Sequence, residues 1–177
     1  MNNQKHSRFR ILIIFVLALA VGFAIYQNFA NKKTEAAGQL NEQAPNFKWT
    51  TLAGEKINLK DLHGKAVLVN FWASWCGPCK KEMPVIEQAY QQYKNDRFEV
   101  VAVNIQEPDA TVKNFLNDHQ LTFPVVLDKT GDIYNSWGVN NLPVSYFISP
   151  DGTIKRKFEG EMSKEQLDQW IKELLKL

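Results

Sequence analysis

The sequence predicts an α/β fold in which a central mixed sheet is flanked by helices and preceded by a β-hairpin. Apolar segments typical of buried strands alternate with segments of helical period, which favours parallel strands in the first half. The last two strand candidates flank a Pro150-Asp151-Gly152 turn, which favours an antiparallel pair, and a helix follows them. With 177 residues, the chain has room for one such domain and little more.

Each element rests on a local signal. Short runs of strong β-formers predict strands at residues 47–52, 56–59, 66–73, 98–105, 123–127, 144–149 and 153–158. Apolar residues at helical spacing predict helices at residues 79–93, around 112–116 and from Ser163 onward. Ala53-Gly54 predicts the hairpin turn, Pro84 is expected to kink the first helix, and Ser163 forms a capping box with Gln166.

The N-terminal segment predicts a membrane anchor. Residues 11–26 carry no charge, and aromatic residues near both ends extend the segment toward a marginal transmembrane span. Cations within the first ten residues predict that this end stays in the cytoplasm. We therefore expect a cytoplasmic tail at 1–10, a transmembrane signal-anchor at 11–29, a tether at 30–43 and a folded domain at 44–177. This domain would lie on the extracytoplasmic side of the cell membrane, and a cleaved signal peptide is the alternative for the first segment.

The charge distribution argues against nucleic acid as a partner. The formal net charge is +2, and five of the cations flank the first apolar segment with one acid nearby. Without these residues the remainder carries about −2, so the basic balance belongs to the N-terminus rather than to a binding face.

The two cysteines of the chain, Cys76 and Cys79, lie three residues apart where the 66–73 strand is followed by a helix. At a helix N-terminus, backbone N–H groups and the helix dipole stabilise a thiolate, and a second thiol beside it favours thiol–disulfide exchange. A zinc site would need about four ligands, and His63 and His119 have no finger-like spacing to the cysteines. A structural disulfide this short would restrain little of the unfolded chain. We therefore expect a functional dithiol, with no metal and no other cofactor.

The residues around this pair resemble a known family. Trp75-Cys76-Gly77-Pro78-Cys79-Lys80 after a hydrophobic strand is similar to the thioredoxin active-site motif. The wider pattern resembles the membrane-anchored, extracytoplasmic thioredoxin-like proteins of the ResA/TlpA type. It includes the anchor and tether, Ala44-Pro45-Asn46-Phe47, Val103-Asn104-Ile105-Gln106-Glu107, Phe123-Pro124-Val125 and Leu142-Pro143. The resemblance covers roughly residue 44 to the C-terminus, and it implies a thioredoxin-like fold and a thiol–disulfide oxidoreductase.

The same resemblance implies a role for individual residues around a redox-active disulfide. Cys76 would be the nucleophile that attacks a substrate disulfide, and Cys79, more buried, would resolve the mixed disulfide. Pro143 would be the family's cis-proline, with backbone groups around Leu142 offered to an extended substrate strand. Trp75 would lie exposed beside Cys76 as part of the substrate surface.

One departure from thioredoxin indicates a further candidate. Thioredoxin has a buried aspartate before its Phe-Trp, and here that position is Asn70, which cannot take up a proton. Glu107 matches an acid that follows the second strand in the extracytoplasmic group. A desolvated carboxylate near a developing thiolate should have a raised pKa, so we expect Glu107 to accept the Cys79 proton. A solvated loop glutamate before Pro108 is the other interpretation.

These features predict a reductant of protein disulfides. Gly-Pro between the cysteines resembles thioredoxin, whose reduction potential of roughly −270 mV is that of a reductant. The resemblance implies apocytochrome c haem-attachment cysteines as substrates and a membrane electron donor of the CcdA or DsbD kind. Two alternatives stay open. A copper-binding assembly factor for a respiratory oxidase resembles Cys-x-x-x-Cys with a distant histidine, and a thiol peroxidase has a Pro-x-x-x-Thr-x-x-Cys loop that residues 71–76 do not match.

Overall fold

A computed structural model describes residues 13–14, 16–23 and 38–176 of the chain. Residues 13–14 and 16–23 are helical, and their large apolar side chains, such as Ile14 and Phe23, are exposed. Within the described residues, no helix combines the length and the apolar character that a membrane span requires. The predicted tail, parts of the predicted anchor at 11–29 and the first part of the predicted tether lie outside the described residues, so these boundaries stay predictions.

Residues 38–176 contain a hairpin and a five-stranded mixed sheet. Strands β1 (Lys48–Thr50) and β2 (Lys56–Asn58) form the predicted hairpin as a separate two-stranded sheet. The other strands are β3 (Ala66–Trp72), β4 (Phe98–Ile105), β5 (Val125–Asp128), β6 (Val144–Ile148) and β7 (Ile154–Glu159). They are ordered β5-β4-β3-β6-β7, with β3, β4 and β5 parallel and β6 antiparallel to both β3 and β7. The predicted mixed sheet is confirmed.

The helices flank this sheet, as the sequence predicts. They are α1 (Gly77–Tyr93), α2 (Asp109–Asp118), α3 (Asp132–Ser136) and α4 (Lys164–Leu175), with a 3-10 turn at Leu59–Leu62. Helix α1 begins slightly before the predicted start and continues through Pro84. The capping box of α4 is present, because Ser163 Oγ accepts the Gln166 backbone N–H and the Gln166 side chain accepts the Ser163 N–H.

Helix α3 is an element that the sequence did not predict. It is a single turn of five residues, which is too short to show a helical period. Its start is held by the fully buried Asp128, whose carboxylate accepts backbone N–H bonds from Gly131 and Tyr134. The start of this helix therefore depends on the side chain of Asp128 at the end of β5, and hydrophobic periodicity does not reveal it.

The sheet is covered on both faces, which explains the apolar run of β3. Leu68 and Trp72 pack into a cluster with residues of α1, α2 and α4, whereas Val69 and Phe71 pack into a second cluster with residues of α3 and the hairpin region. All seven residues of β3 are buried. A strand that is buried on both faces has no polar side, so its sequence does not alternate.

The folded unit begins before the predicted boundary at residue 44. The Asn41 N–H donates to the Ile154 carbonyl at 2.8 Å, and the Ile154 N–H donates to the Glu42 carbonyl at 2.9 Å. These bonds attach the segment to the start of the edge strand β7. Part of the segment predicted as a tether is therefore paired with the sheet.

Candidate active site

The predicted site segments meet at one edge of the sheet. Strands β3 and β4 are parallel and in register at Trp72 and Asn104, so the loops that follow both strands leave the same edge. Strand β6 is antiparallel to β3, with Val144 opposite Phe71, so the residues before β6 lie at this edge as well. The topology thereby brings the cysteine loop, the residues after β4 and the Leu142-Pro143 segment together.

Cys76 and Cys79 form a disulfide at the N-terminus of α1. Cys76 is the N-cap residue, and its Sγ accepts a hydrogen bond from the Cys79 backbone N–H at 3.2 Å. Cys76 is 6% exposed and Cys79 is 0% exposed. The resemblance implies that Cys79 is the more buried of the two, and in the disulfide state Cys76 is accordingly the more accessible of two largely covered residues. The N–H bond and the helix dipole are placed to stabilise a thiolate at Cys76 after reduction.

The surface at this edge presents apolar groups. Trp75 is 70% exposed directly before Cys76, and Leu142 is half-buried. The Leu142–Pro143 peptide bond is cis, as the family resemblance implies, and the Pro143 carbonyl accepts the Gly160 N–H at 2.9 Å. An exposed indole beside a reactive sulfur is suited to contact with a protein substrate. The substrate-binding roles of Trp75, Leu142 and Pro143 stay predictions.

Glu107 lies against the loop that carries the cysteines. It is 8% exposed, and its Oε2 accepts N–H bonds at 2.7 Å from the Ser74 backbone and from the Asn104 side chain. Its Oε1 accepts a further hydrogen bond from the Ser74 hydroxyl. Glu107 is thus a buried group that fastens the segment just before Cys76 to the end of β4. Its predicted role as acceptor of the Cys79 proton stays one of two candidate assignments, the other being the carboxyl group described next.

A second buried carboxyl group, which the sequence did not lead us to expect, lies one helical turn beyond Cys79. Glu82 is 0% exposed and shares the buried face of α1 with Cys79. Its Oε1 accepts a hydrogen bond from Asn70 Nδ2 at 2.9 Å, and its Oε2 accepts one from the Met162 N–H at 3.3 Å. Burial raises the pKa of Glu82 from 4.5 to about 7, although the hydrogen bonds from Asn70 and Met162 lower it; the charge of Glu161 raises it further.

The sequence does contain a signal for Glu82. This residue precedes Ile86 by four positions and Ala89 by seven, so it lies on the apolar stripe of the helix. Glutamate is almost never fully buried without a partner, which makes one on an apolar stripe a candidate for function. The sequence does not identify the partner, because Asn70 lies on a different element, 12 positions away.

A cavity of about 680 Å³ lies at the opposite end of the sheet. It is lined by residues such as Gly64 and Arg97, which precede β3 and β4, by Lys155, and by Trp170 and Glu173 of α4. Strand β3 runs seven residues from this end toward the disulfide, at about 3.3 Å per residue. The cavity is therefore roughly 20 Å from the cysteines and belongs to a different surface.

These observations define a class of protein. An α/β fold with a Cys-Gly-Pro-Cys disulfide at the start of a helix, at the sheet edge where the other predicted site segments meet, is that of a thiol–disulfide oxidoreductase. Residues 40–157 match the AhpC/TSA family. The chain belongs to this family and is a thiol–disulfide oxidoreductase of the ResA type, as the following relatives show.

The relatives match over nearly their full length. The chain is 43% identical over 166 residues to the thiol-disulfide oxidoreductase ResA of Bacillus cereus (strain ATCC 10987 / NRS 248), which covers 94% of this chain and 95% of the relative. It is 37% identical over 174 residues to the ResA of Geobacillus kaustophilus (strain HTA426), with 98% and 99% covered.

Solved structures agree with the fold. StoA from Bacillus subtilis has a TM-score of 0.64 and 32% identity, over 71% of this chain and 96% of that chain. A thioredoxin-family thiol:disulfide interchange protein from Chlorobium tepidum TLS has a TM-score of 0.72 and 28% identity, over 78% and 99% of the two chains. The predicted thioredoxin-like fold is confirmed.

Proposed function

We propose that this chain is a membrane-tethered, extracytoplasmic reductant that transfers two electrons from a Cys76/Cys79 dithiol to protein disulfides, such as those of apocytochrome c haem-attachment cysteines. The observation that carries the proposal is the Cys76–Cys79 disulfide at the N-terminus of α1, with the fully buried Glu82 carboxyl group one turn beyond Cys79. A disulfide used only for stability needs no neighbouring group that exchanges a proton near neutral pH.

The first half of the reaction uses Cys76. In the reduced protein its thiolate attacks one sulfur atom of the substrate disulfide, which forms a mixed disulfide and releases the other substrate sulfur as a thiolate. The Cys79 N–H and the N-terminus of α1 stabilise the attacking thiolate. Trp75 and the Leu142-Pro143 segment would hold the substrate strand beside it.

The second half uses Cys79 and Glu82. The Cys79 thiol transfers its proton to the Glu82 carboxylate, and the resulting thiolate attacks Cys76 Sγ in the mixed disulfide. The Cys76–Cys79 disulfide forms and the second substrate sulfur leaves as a thiolate, which takes the proton from Glu82. The protein has then lost two electrons, the substrate has gained them, and Glu82 is a carboxylate again.

The location and the electron supply complete the proposal. The predicted signal-anchor at residues 11–29 would place the domain outside the cytoplasm, away from the cytosolic thiol pool. The Cys76–Cys79 disulfide would then be reduced by a dithiol of a membrane electron carrier of the CcdA or DsbD kind, which becomes oxidised to its own disulfide in the same exchange.

Trapping of the mixed disulfide tests this function. With Cys79→Ser, the adduct between Cys76 and a substrate cannot be resolved, so it should accumulate as a high-mass band that a reductant removes. The full-length reduced variant is mixed with oxidised apocytochrome c and, for comparison, with a disulfide protein that lacks a haem-attachment motif. Cys76→Ser is the matched control, since it keeps one thiol but removes the nucleophile.

Each outcome has a distinct meaning. An adduct with apocytochrome c from Cys79→Ser alone supports the proposal. Equal adducts with both disulfide proteins would contradict the assignment of apocytochrome c as the preferred substrate, but would still support the reduction of protein disulfides. Equal adducts from both variants, or none from either, would contradict the assignment of the nucleophile and the resolving thiol.

A further inference from the structure

Asn70 lies at the centre of a buried polar cluster in the middle of β3. Its Nδ2 donates one hydrogen bond to Glu82 Oε1 and one to Ser145 Oγ, both at 2.9 Å. All three residues are 0% exposed. The cluster therefore connects the buried acid of α1 to two adjacent strands, β3 and β6, without contact with solvent.

The orientation of the Asn70 carboxamide is set by the two hydrogen bonds that its N–H groups donate. Both of its N–H groups are used, whereas its Oδ1 has no hydrogen-bond partner among the residues that the structure describes. A buried acceptor without a partner is uncommon and unfavourable, so this orientation must satisfy another group instead. Ser145 holds one N–H, and the other is directed at the Glu82 carboxylate.

We propose that Asn70 is a positioning residue for the dithiol reaction: anchored by Ser145, it holds the Glu82 carboxylate and sets the pH at which this group exchanges a proton. The inference rests on the proposed function, in which Glu82 accepts the Cys79 proton. A donated hydrogen bond favours the charged carboxylate and so offsets part of the burial that favours the neutral acid. An apolar side chain at this position would leave Glu82 with the longer Met162 N–H bond at 3.3 Å.

The other groups around Glu82 do not replace this contact. Glu161, in the segment before α4, opposes the ionisation of Glu82 by its charge. Lys81 Nζ lies 4.0 Å from the Glu161 carboxylate. The Met162 N–H favours ionisation, but less than Asn70 does. On α1 itself, Cys79 is the proton donor of the proposed reaction. Asn70 is thus the largest favourable contact of the Glu82 carboxylate.

The protonation midpoint of Glu82 tests the inference directly. The full-length protein is labelled with ¹³C at glutamate carboxyl groups and titrated by NMR, and the Glu82 signal is assigned by its loss in Glu82→Gln. Asn70→Leu, which is similar in size but has no donor, should raise the midpoint by roughly one to two pH units. Ser145→Ala keeps the amide but removes its anchor, so it should raise the midpoint by less.

The pH dependence of disulfide reduction gives a second readout, which a merely structural role would not move. Asn70→Leu should displace the pH–rate profile to higher pH, in the same direction as the NMR midpoint. In the Glu82→Gln background, Asn70→Leu should add no displacement, because the amide acts through the carboxyl group.

The possible results separate this inference from the proposed function. An unchanged Glu82 midpoint in Asn70→Leu, or a displaced profile that persists in the double variant, would overturn it. If circular dichroism shows that Asn70→Leu does not fold, an unchanged midpoint in Ser145→Ala overturns it and a raised one supports it. If Glu82→Gln by itself leaves the profile unchanged, the proton acceptor of the proposed function is wrong, and the NMR midpoint still decides the role of Asn70.

Discussion

Replacement of Glu82 by glutamine should make the stability of the folded chain less dependent on pH. Burial raises the pKa of Glu82 from 4.5 to about 7, so between these values the folded state keeps a proton that the unfolded state releases. The neutral Glu82 carboxyl group contributes stability that is fully present below pH 4.5. This stability is lost as the pH rises through about 7, because the folded chain must then hold a buried charge. Glutamine carries no charge at any pH, so the variant avoids this loss.

The size of the effect follows from the two pKa values. The difference between 4.5 and about 7 corresponds to about 3 kcal/mol in the free energy of unfolding. Relative to the parent protein, Glu82→Gln should therefore gain about 3 kcal/mol between pH ~4 and pH ~8. For a chain of this length, that corresponds to a gain of roughly 6–12 °C in the melting temperature at the higher pH.

Chemical denaturation of both proteins at several pH values between these limits measures the effect, with the disulfide kept oxidised. Because all other titrating groups are shared, the difference between the two curves isolates residue 82. Glu87→Gln on the same helix is the matched control. Partial burial raises the pKa of Glu87, but hydrogen bonds from Thr122 and Gln91 outweigh this and hold it below its usual value, so this variant should lose relative stability as the pH rises. Parallel curves for Glu82→Gln and the parent would refute the buried, high-pKa carboxyl group.

Three further predictions concern the cysteines, Glu107 and the location of the chain. Iodoacetamide should modify Cys76 faster than Cys79 in the reduced protein, because only Cys76 has any exposure and an N-cap position; equal rates would contradict their assigned roles. Glu107→Gln should lower stability by about 1–3 kcal/mol, since a glutamine cannot accept all the bonds from Ser74 and Asn104, and should leave the pH–rate profile unchanged. A changed profile would make Glu107 the acceptor of the Cys79 proton. Protease added to intact protoplasts should remove the domain, whereas a shortened protein free in the medium would indicate a cleaved signal peptide.

Much of the fold was predictable because its signals are local. The β3 run, the Pro150-Asp151-Gly152 turn and the Ser163 capping box each lie within a few residues of the element that they define. Hydrophobic periodicity and turn chemistry act at this range, so the order and type of the main elements followed from them. Helix α3 was not predictable in this way, because its start depends on the side chain of Asp128 rather than on a period.

The sequence by itself determined the reactive pair, its place between a buried strand and a helix, and the family that the motif resembles. It did not determine which groups the acids near the pair would contact. Tertiary structure brings Glu107 against Ser74, 33 residues away, and Glu82 against Asn70, whose amide also donates to Ser145, 75 residues further along the chain. A carboxyl group acquires a high pKa by losing water, and water is excluded from Glu82 only when α1, β3 and β6 pack together. That loss of solvent is a property of the packed structure, which no local pattern of residues contains.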